Sequence, residues 1–179
     1  QITSNAFKAA AGSAAGVIGL GAAVAYMDVT GTTKVLIGST GSLNGKSGVN
    51  VSARLIINTN PTADGYGVGW ASAGMAAARL KVTGATIVES QSGSRLVSAK
   101  GNVKLNANQN ITSTATTTAA GVGYGATGSV TLALVEVGST TKVASGANVT
   151  ASKGTYDILA HSILTATANA YGLSAAVGG

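Results

Sequence analysis

Val29-Thr-Gly-Thr-Thr-Lys-Val35 is written again, with small changes, as Val82-Thr-Gly-Ala-Thr-Ile-Val88 and as Val137-Gly-Ser-Thr-Thr-Lys-Val143. The closing valines lie 53 and 55 residues apart. Each copy leads into an alternating stretch: Val49-Asn-Val-Ser-Ala53, Val103-Lys-Leu-Asn-Ala107 and Ala147-Asn-Val-Thr-Ala151. A layout repeated at a fixed period belongs to a stack of like units whose neighbours share one core. The period predicts an all-β protein: a parallel β-helix (β-solenoid) of imperfect repeats of about 54 residues, each repeat covering two or three coils. Tyr66-Gly67, Tyr124-Gly125 and Tyr171-Gly172 mark the units a second time. They divide a single repeat domain into approximate units 1–67, 68–125 and 126–179.

Within the copies the side chains alternate as they do along half-buried strands. Val49, Val51, Ala53, Leu55 and Ile57 are apolar, Asn50, Ser52 and Arg54 are polar, and Ile56 breaks the pattern. Ile111 is followed by Thr112, Thr114, Thr116, Thr117 and Thr118, β-branched residues that favour extended backbone. A regular Thr ladder of the ice-binding kind should recur in each coil, and the first-copy equivalent, 58–64, lacks it. A solenoid is expected to place Val51, Leu105 and Val149 in one inward column. The spacers Leu36–Gly48, Glu89–Asn102 and Ala144–Gly146 differ in length, so they read as variable loops and as the first places to look for binding. The competing architecture is a β-sandwich, pilin-like subunit that donates an N-terminal strand to a neighbour. It predicts that Ala9 to Val24 projects from its own domain.

Composition narrows the chemistry. Charged residues make up only 9% of the chain, against roughly 25% in average soluble domains. The surface is therefore polar through Ser, Thr and Asn. No Cys is present, which excludes disulfides, thiolate metal sites and Cys nucleophiles. The net charge of +6 comes from scattered residues, of which only Arg95 to Lys104 approaches a cluster. With no interleaved aromatics this predicts no nucleic-acid partner and a loose attraction to host or bacterial surface glycans. The chain starts at Gln1 without a signal-like stretch, as expected of a processed product or a piece of something longer. Ala9 to Met27 carries no charge over 19 residues, the length of a membrane helix. Its later part, Ala22 to Val29, aligns with Met75–Val82 and Val130–Val137, which carry Arg79, Lys81 and Glu136. The expectation is a small-residue strand and no stable membrane span.

No residues are expected to be catalytic, cofactor-binding or metal-binding, and the chain is expected not to be an enzyme. Asp28, Asp64, Glu89, Glu136 and Asp157 are its only acids. Asp28 and Glu136 occupy equivalent repeat positions with Lys81 between them, which reads as a solvated column. A polysaccharide-degrading β-helix would need two acids gathered at one bond. His161 has Asp157 and Ser162 close in sequence, but adjacent strand residues face opposite ways, so no triad is expected.

The stretch Ala25-Tyr-Met-Asp-Val-Thr-Gly-Thr-Thr-Lys-Val-Leu-Ile-Gly38, its Gly/Ser spacer and Gly48-Val-Asn-Val-Ser-Ala53 resemble the repeats of large leukotoxin-like filamentous adhesins. So do Thr140-Thr-Lys-Val143 and Ala147-Asn-Val-Thr-Ala151. The likeness runs from about Gly21 to Gly179, and the second copy departs from it with Ile87 in place of Lys34 and Lys142. It implies an exported, elongated, non-enzymatic protein at the bacterial cell surface. The function expected is a structural or adhesive segment of an extracellular fibre, with copies of itself or neighbouring repeats as partners. The alternative is a self-assembling filament subunit joined by strand exchange or end-to-end coil stacking.

Overall fold

The computed structural model describes residues 7–177 and the backbone of residues 2–3. Alternation is carried through strands β1 (Ile2–Thr3), β2 (Lys8–Ala14), β3 (Ile18–Ile37), β4 (Ser42–Gly45), β5 (Val49–Thr59), β6 (Thr62–Gly69), β7 (Ala71–Ser90), β8 (Arg95–Ser98), β9 (Val103–Gly123), β10 (Thr127–Ser145), β11 (Asn148–Ala151) and β12 (Tyr156–Ala176). All pairings between them are parallel. A front sheet holds β1 and β2, then β5 and β6, then β9, then β12. A back sheet stacks β3, β7 and β10, and a short sheet stacks β4, β8 and β11. The chain passes front, back and short sheet in turn, then starts the next level, which is the layout of a β-solenoid. One repeat is therefore one coil, where the sequence reading took two or three. The phrase that set the period is confirmed residue by residue: Val29, Val82 and Val137 form one column, and Val35, Val88 and Val143 another.

The third alternating stretch was misplaced. Val51 does pair with Leu105, but the next member of that column is Ile158. Val149 stacks on Leu96 in the short sheet instead, as Leu43 does from the other side. Five alternating residues specify an inward face but not which of three sheets supplies it. The same error made the spacers look variable. Leu36–Gly48 and Glu89–Asn102 contain the short-sheet strands β4 and β8, and β11 begins just after Ala144–Gly146, so these segments are part of the frame. The Tyr-Gly pairs are not one column either, since Tyr66 pairs with Ala120 and Tyr171 with Thr118. Lys8–Ala14 and Ile18–Ile37 lie on β6 and β7 of their own sheets, so the N-terminal segment is not free for donation. Ala9 to Met27 is split between β2 and β3 by a bend at Gly16 and Val17, and no helix among the described residues is long and apolar enough to cross a membrane.

The core tapers. Beside the short sheet it holds Ile37, Val49, Val51, Val88, Leu96, Val103 and Leu105. Farther along come Leu55, Ile57, Leu80, Val82 and Ile111, and then Ala63, Ala76, Ala78, Ala115 and Ala119. At the opposite end, the tip, the inward positions become glycine and the two long sheets meet backbone to backbone. A Cβ on Gly65 would overlap the Met75 carbonyl, and one on Gly21 the Tyr66 carbonyl. The sheets there are closer than the ~10 Å of ordinary face-to-face packing. Polar inward positions stack in register: Thr59 Oγ1 donates to Ser113 Oγ at 3.2 Å, and Ser90 Oγ to Ser145 Oγ at 3.1 Å. Gln109 is buried, and its Oε1 accepts from Ser139 Oγ at 2.6 Å and Thr141 Oγ1 at 2.7 Å. Its bulk faces Gly84, where a Cβ would meet the Gln109 amide.

These dimensions make a blade. A strand of 20 residues spans about 66 Å at ~3.3 Å per residue, while the four levels of the front sheet, three steps of ~4.8 Å, rise only about 14 Å.

Candidate functional site

The taper decides what lies outside at the tip. Strand alternation sends every second residue outward, and where the inward residue is Gly the larger side chain is the outer one. On the back sheet Ile18, Leu20 and Val24 of β3, Met75 of β7, and Val130 and Leu132 of β10 are all substantially exposed. Three levels and five outward positions make an apolar face of roughly 400 Å², within the range of about 300–600 Å² for the largest patch on a monomer. Trp70 and Tyr124 stand at the turn itself and line a shallow groove with Val68, Val122 and Val177. The sequence showed small residues here and suggested a buried strand. The small residues are indeed inward, but the apolar ones between them are not.

The acids are dispersed. Asp64 lies 3.3 Å from Lys8, Glu89 3.4 Å from Lys34, Glu136 3.0 Å from Arg79 and Asp157 3.9 Å from Lys104. Asp28, Lys81 and Glu136 do form the expected column on the back sheet. Because one repeat is one coil, the two acids are two levels apart, about 10 Å at ~4.8 Å per level. They stand on an open outer face, with Glu136 held by Arg79, whose guanidinium also lies 5.9 Å from the Tyr26 ring. Exposed pairs of this kind add little. Arg79→Ala should therefore lower stability by no more than about 1 kcal/mol in urea titration.

His161 faces outward beside Asn108 on the front sheet. Asp157 shares that face but stands four residues away, about 13 Å along the strand, and Ser162 points inward to Ser139 at 3.3 Å. The triad geometry is not formed. Among the described residues no three His, Cys, Asp or Glu side chains gather as a metal site. Thr112 and Thr114 stack on Thr165 and Thr167 of β12, but on the other side Thr112 meets Asn58. The Thr rows thus span two levels.

The cations are less scattered than they read. With four of the 11 basic residues in ion pairs, seven make none among the described residues: Lys46, Arg54, Lys81, Arg95, Lys100, Lys142 and Lys153. Three of these, Lys46, Lys100 and Lys153, occupy the same turn in successive coils, where the chain leaves the short sheet for the front sheet. Each stands three residues before the front-sheet register of Val49, Val103 and Tyr156. Their spacings of 54 and 53 match the coil length, and that was the signal in the sequence.

Compared with protein families, curated proteins and solved structures, the chain matches none. The class that the fold defines is thus architectural: an all-β protein of stacked parallel sheets.

Proposed function

We propose that this chain is a structural, adhesive segment of a bacterial extracellular fibre or filamentous surface adhesin, and that it is not an enzyme. The observation that supports this reading most is that one repeat makes one level. Repeats lengthen such a stack without altering its cross-section, and the side chains that recur are frame residues and exposed polar groups. The blade shape refines the expectation of an elongated protein. One coil of about 54 residues adds only ~4.8 Å of height, so a single chain offers broad flat faces more than reach. Immunogold electron microscopy of thin-sectioned source cells tests the proposal. Label along fibres outside the cell is expected, and label confined to the cytoplasm would overturn it.

A second reading, assembly of copies into a filament, is favoured by the apolar outer face at the tip. In-register end-to-end stacking is disfavoured electrostatically. It would set Asp28 of one copy over Glu136 of the next and Lys34 over Lys142, and like charges directly opposite destabilise a sheet pair. Side-by-side contact through the apolar face has no such conflict. That face is about half of the ~800 Å² per partner of a stable interface, so the association should be weak. Val130→Thr with Leu132→Thr should reduce self-association in sedimentation velocity at high protein concentration, with the thermal midpoint nearly unchanged. Undiminished association would exclude this face as the contact.

A further inference from the structure

We propose that the turn between the short sheet and the front sheet is a binding edge for a linear acidic polysaccharide with about one carboxylate or sulfate per sugar. The inference rests on the adhesive reading and names the ligand class that one edge of the blade would take.

The edge is built by the fold. Ala99 N donates to Gly45 O and Ser152 N to Ser98 O, both at 3.0 Å, so each coil enters the turn tied to the one below. On the exit side Val49 N donates to Asn102 O and Val103 N to Thr155 O, both at 2.9 Å, and Thr155 N to Asn102 Oδ1 at 3.0 Å. Gly101 sits against the Ser47 carbonyl with no room for a Cβ, and Gly154 is pressed in the same way on Gly101 and Asn102. The turns are thus locked on one another. Counted from the exit side, a lysine recurs at the same place in each level, whereas on the entry side Lys46 follows Gly45 directly and Lys100 and Lys153 stand two residues past Ser98 and Ala151. All three lysines are exposed. None has an acid partner among the described residues, although four of the five acids elsewhere are paired. Arg95 on the outer face of β8 and Arg54 on β5, both also unpaired, stand on the two adjoining sheets four to five residues from the turn, roughly 13–17 Å along their strands.

Like charges stacked level upon level repel, and the array is satisfied by one extended polyanion lying along it. The spacing favours a polymer of moderate charge density. The ladder offers one cation per ~4.8 Å of height, whereas duplex DNA carries one charge per ~1.7 Å of axis. A polyuronate or a singly sulfated glycan places its charges about one sugar apart, closer to one per level. Ser47, Asn50 and Asn102 border the same edge and supply hydroxyl and amide partners for sugar hydroxyls, and among the described residues Tyr156 at the exit of the third turn is the one aromatic ring beside them.

The test compares three proteins by biolayer interferometry on immobilised polygalacturonate, with neutral dextran and duplex DNA as further surfaces. They are the intact chain, Lys46→Gln/Lys100→Gln/Lys153→Gln, and the charge-matched Lys8→Gln/Lys81→Gln/Lys142→Gln. The ladder variant is expected to lose at least 10-fold in affinity, the matched variant less than 3-fold, and dextran should not bind. Binding by the intact chain should weaken with salt, as counterion release requires, and more steeply than binding by the ladder variant. Lys46→Arg/Lys100→Arg/Lys153→Arg should retain affinity, which separates loss of charge from loss of fold. Equal losses in the two neutralised variants would reduce the effect to net charge and overturn the proposal. So would tighter binding of DNA than of polygalacturonate at the same salt. Neither result bears on whether the protein lies outside the cell, which the immunogold experiment decides independently.

Discussion

Gly65→Val should cost more than about 4 kcal/mol, a large share of the roughly 5–15 kcal/mol that ordinarily holds a chain folded. Gly65 lies at the centre of the tip, facing the Met75 carbonyl on one level and the Gly21 carbonyl on another. A valine there has backbone on its far side, not a side chain that can turn away. The sheets must part, and parting them exposes the Ala layer behind. Ala22→Val supplies the contrast. Ala22 follows an inward glycine but faces outward and pairs with Met75, so its extra methyl groups meet solvent and the change should stay within about 0.5 kcal/mol. Circular dichroism and urea denaturation of the two variants measure the difference. A folded Gly65→Val protein with a native midpoint would show that the sheets are not in backbone contact.

Leu105→Ala should cost about 3 kcal/mol, because Leu105 is fully buried in the thick part of the core and its neighbours can close only part of the space it leaves. The partner of this prediction is a double-mutant cycle. Val51 stands directly on Leu105 in the front sheet, so Val51→Ala with Leu105→Ala should depart from additivity by about 0.5 kcal/mol or more. Val51→Ala with Val149→Ala should be closer to additive, since Val149 stacks on Leu96 in another sheet. Strong coupling of Val51 to Val149 and none to Leu105 would reverse the column assignment.

The charge ladder shows where reading ended and stacking began. Lys46, Lys100 and Lys153 are visible at the coil spacing, yet their flanking residues differ: Gly-Lys-Ser, Ala-Lys-Gly and Ser-Lys-Gly. Without the register they are three lysines in loops. The five acids were legible as dispersed, because none has a second acid near it in sequence. Which cation each one meets was not, since Arg79 reaches Glu136 across levels separated by 57 residues.

By itself the sequence determined the period, the extended backbone and the inward face of each well-patterned strand. Val29–Val35 and its copies recur because equivalent levels impose equivalent packing, and Val49 to Ile57 alternates because a strand has two faces. The tertiary structure alone decided that one repeat is one coil, and that the spacers form a third sheet with Val149 in it. It also decided that the apolar residues beside the tip glycines face outward. The physical reason is that a two-residue period records which residues share a side and carries no information on what lies opposite. Where the opposite sheet supplies side-chain space, the apolar residues fill it. Where it supplies only backbone, glycine takes the inner position and the hydrophobic residues remain on the surface.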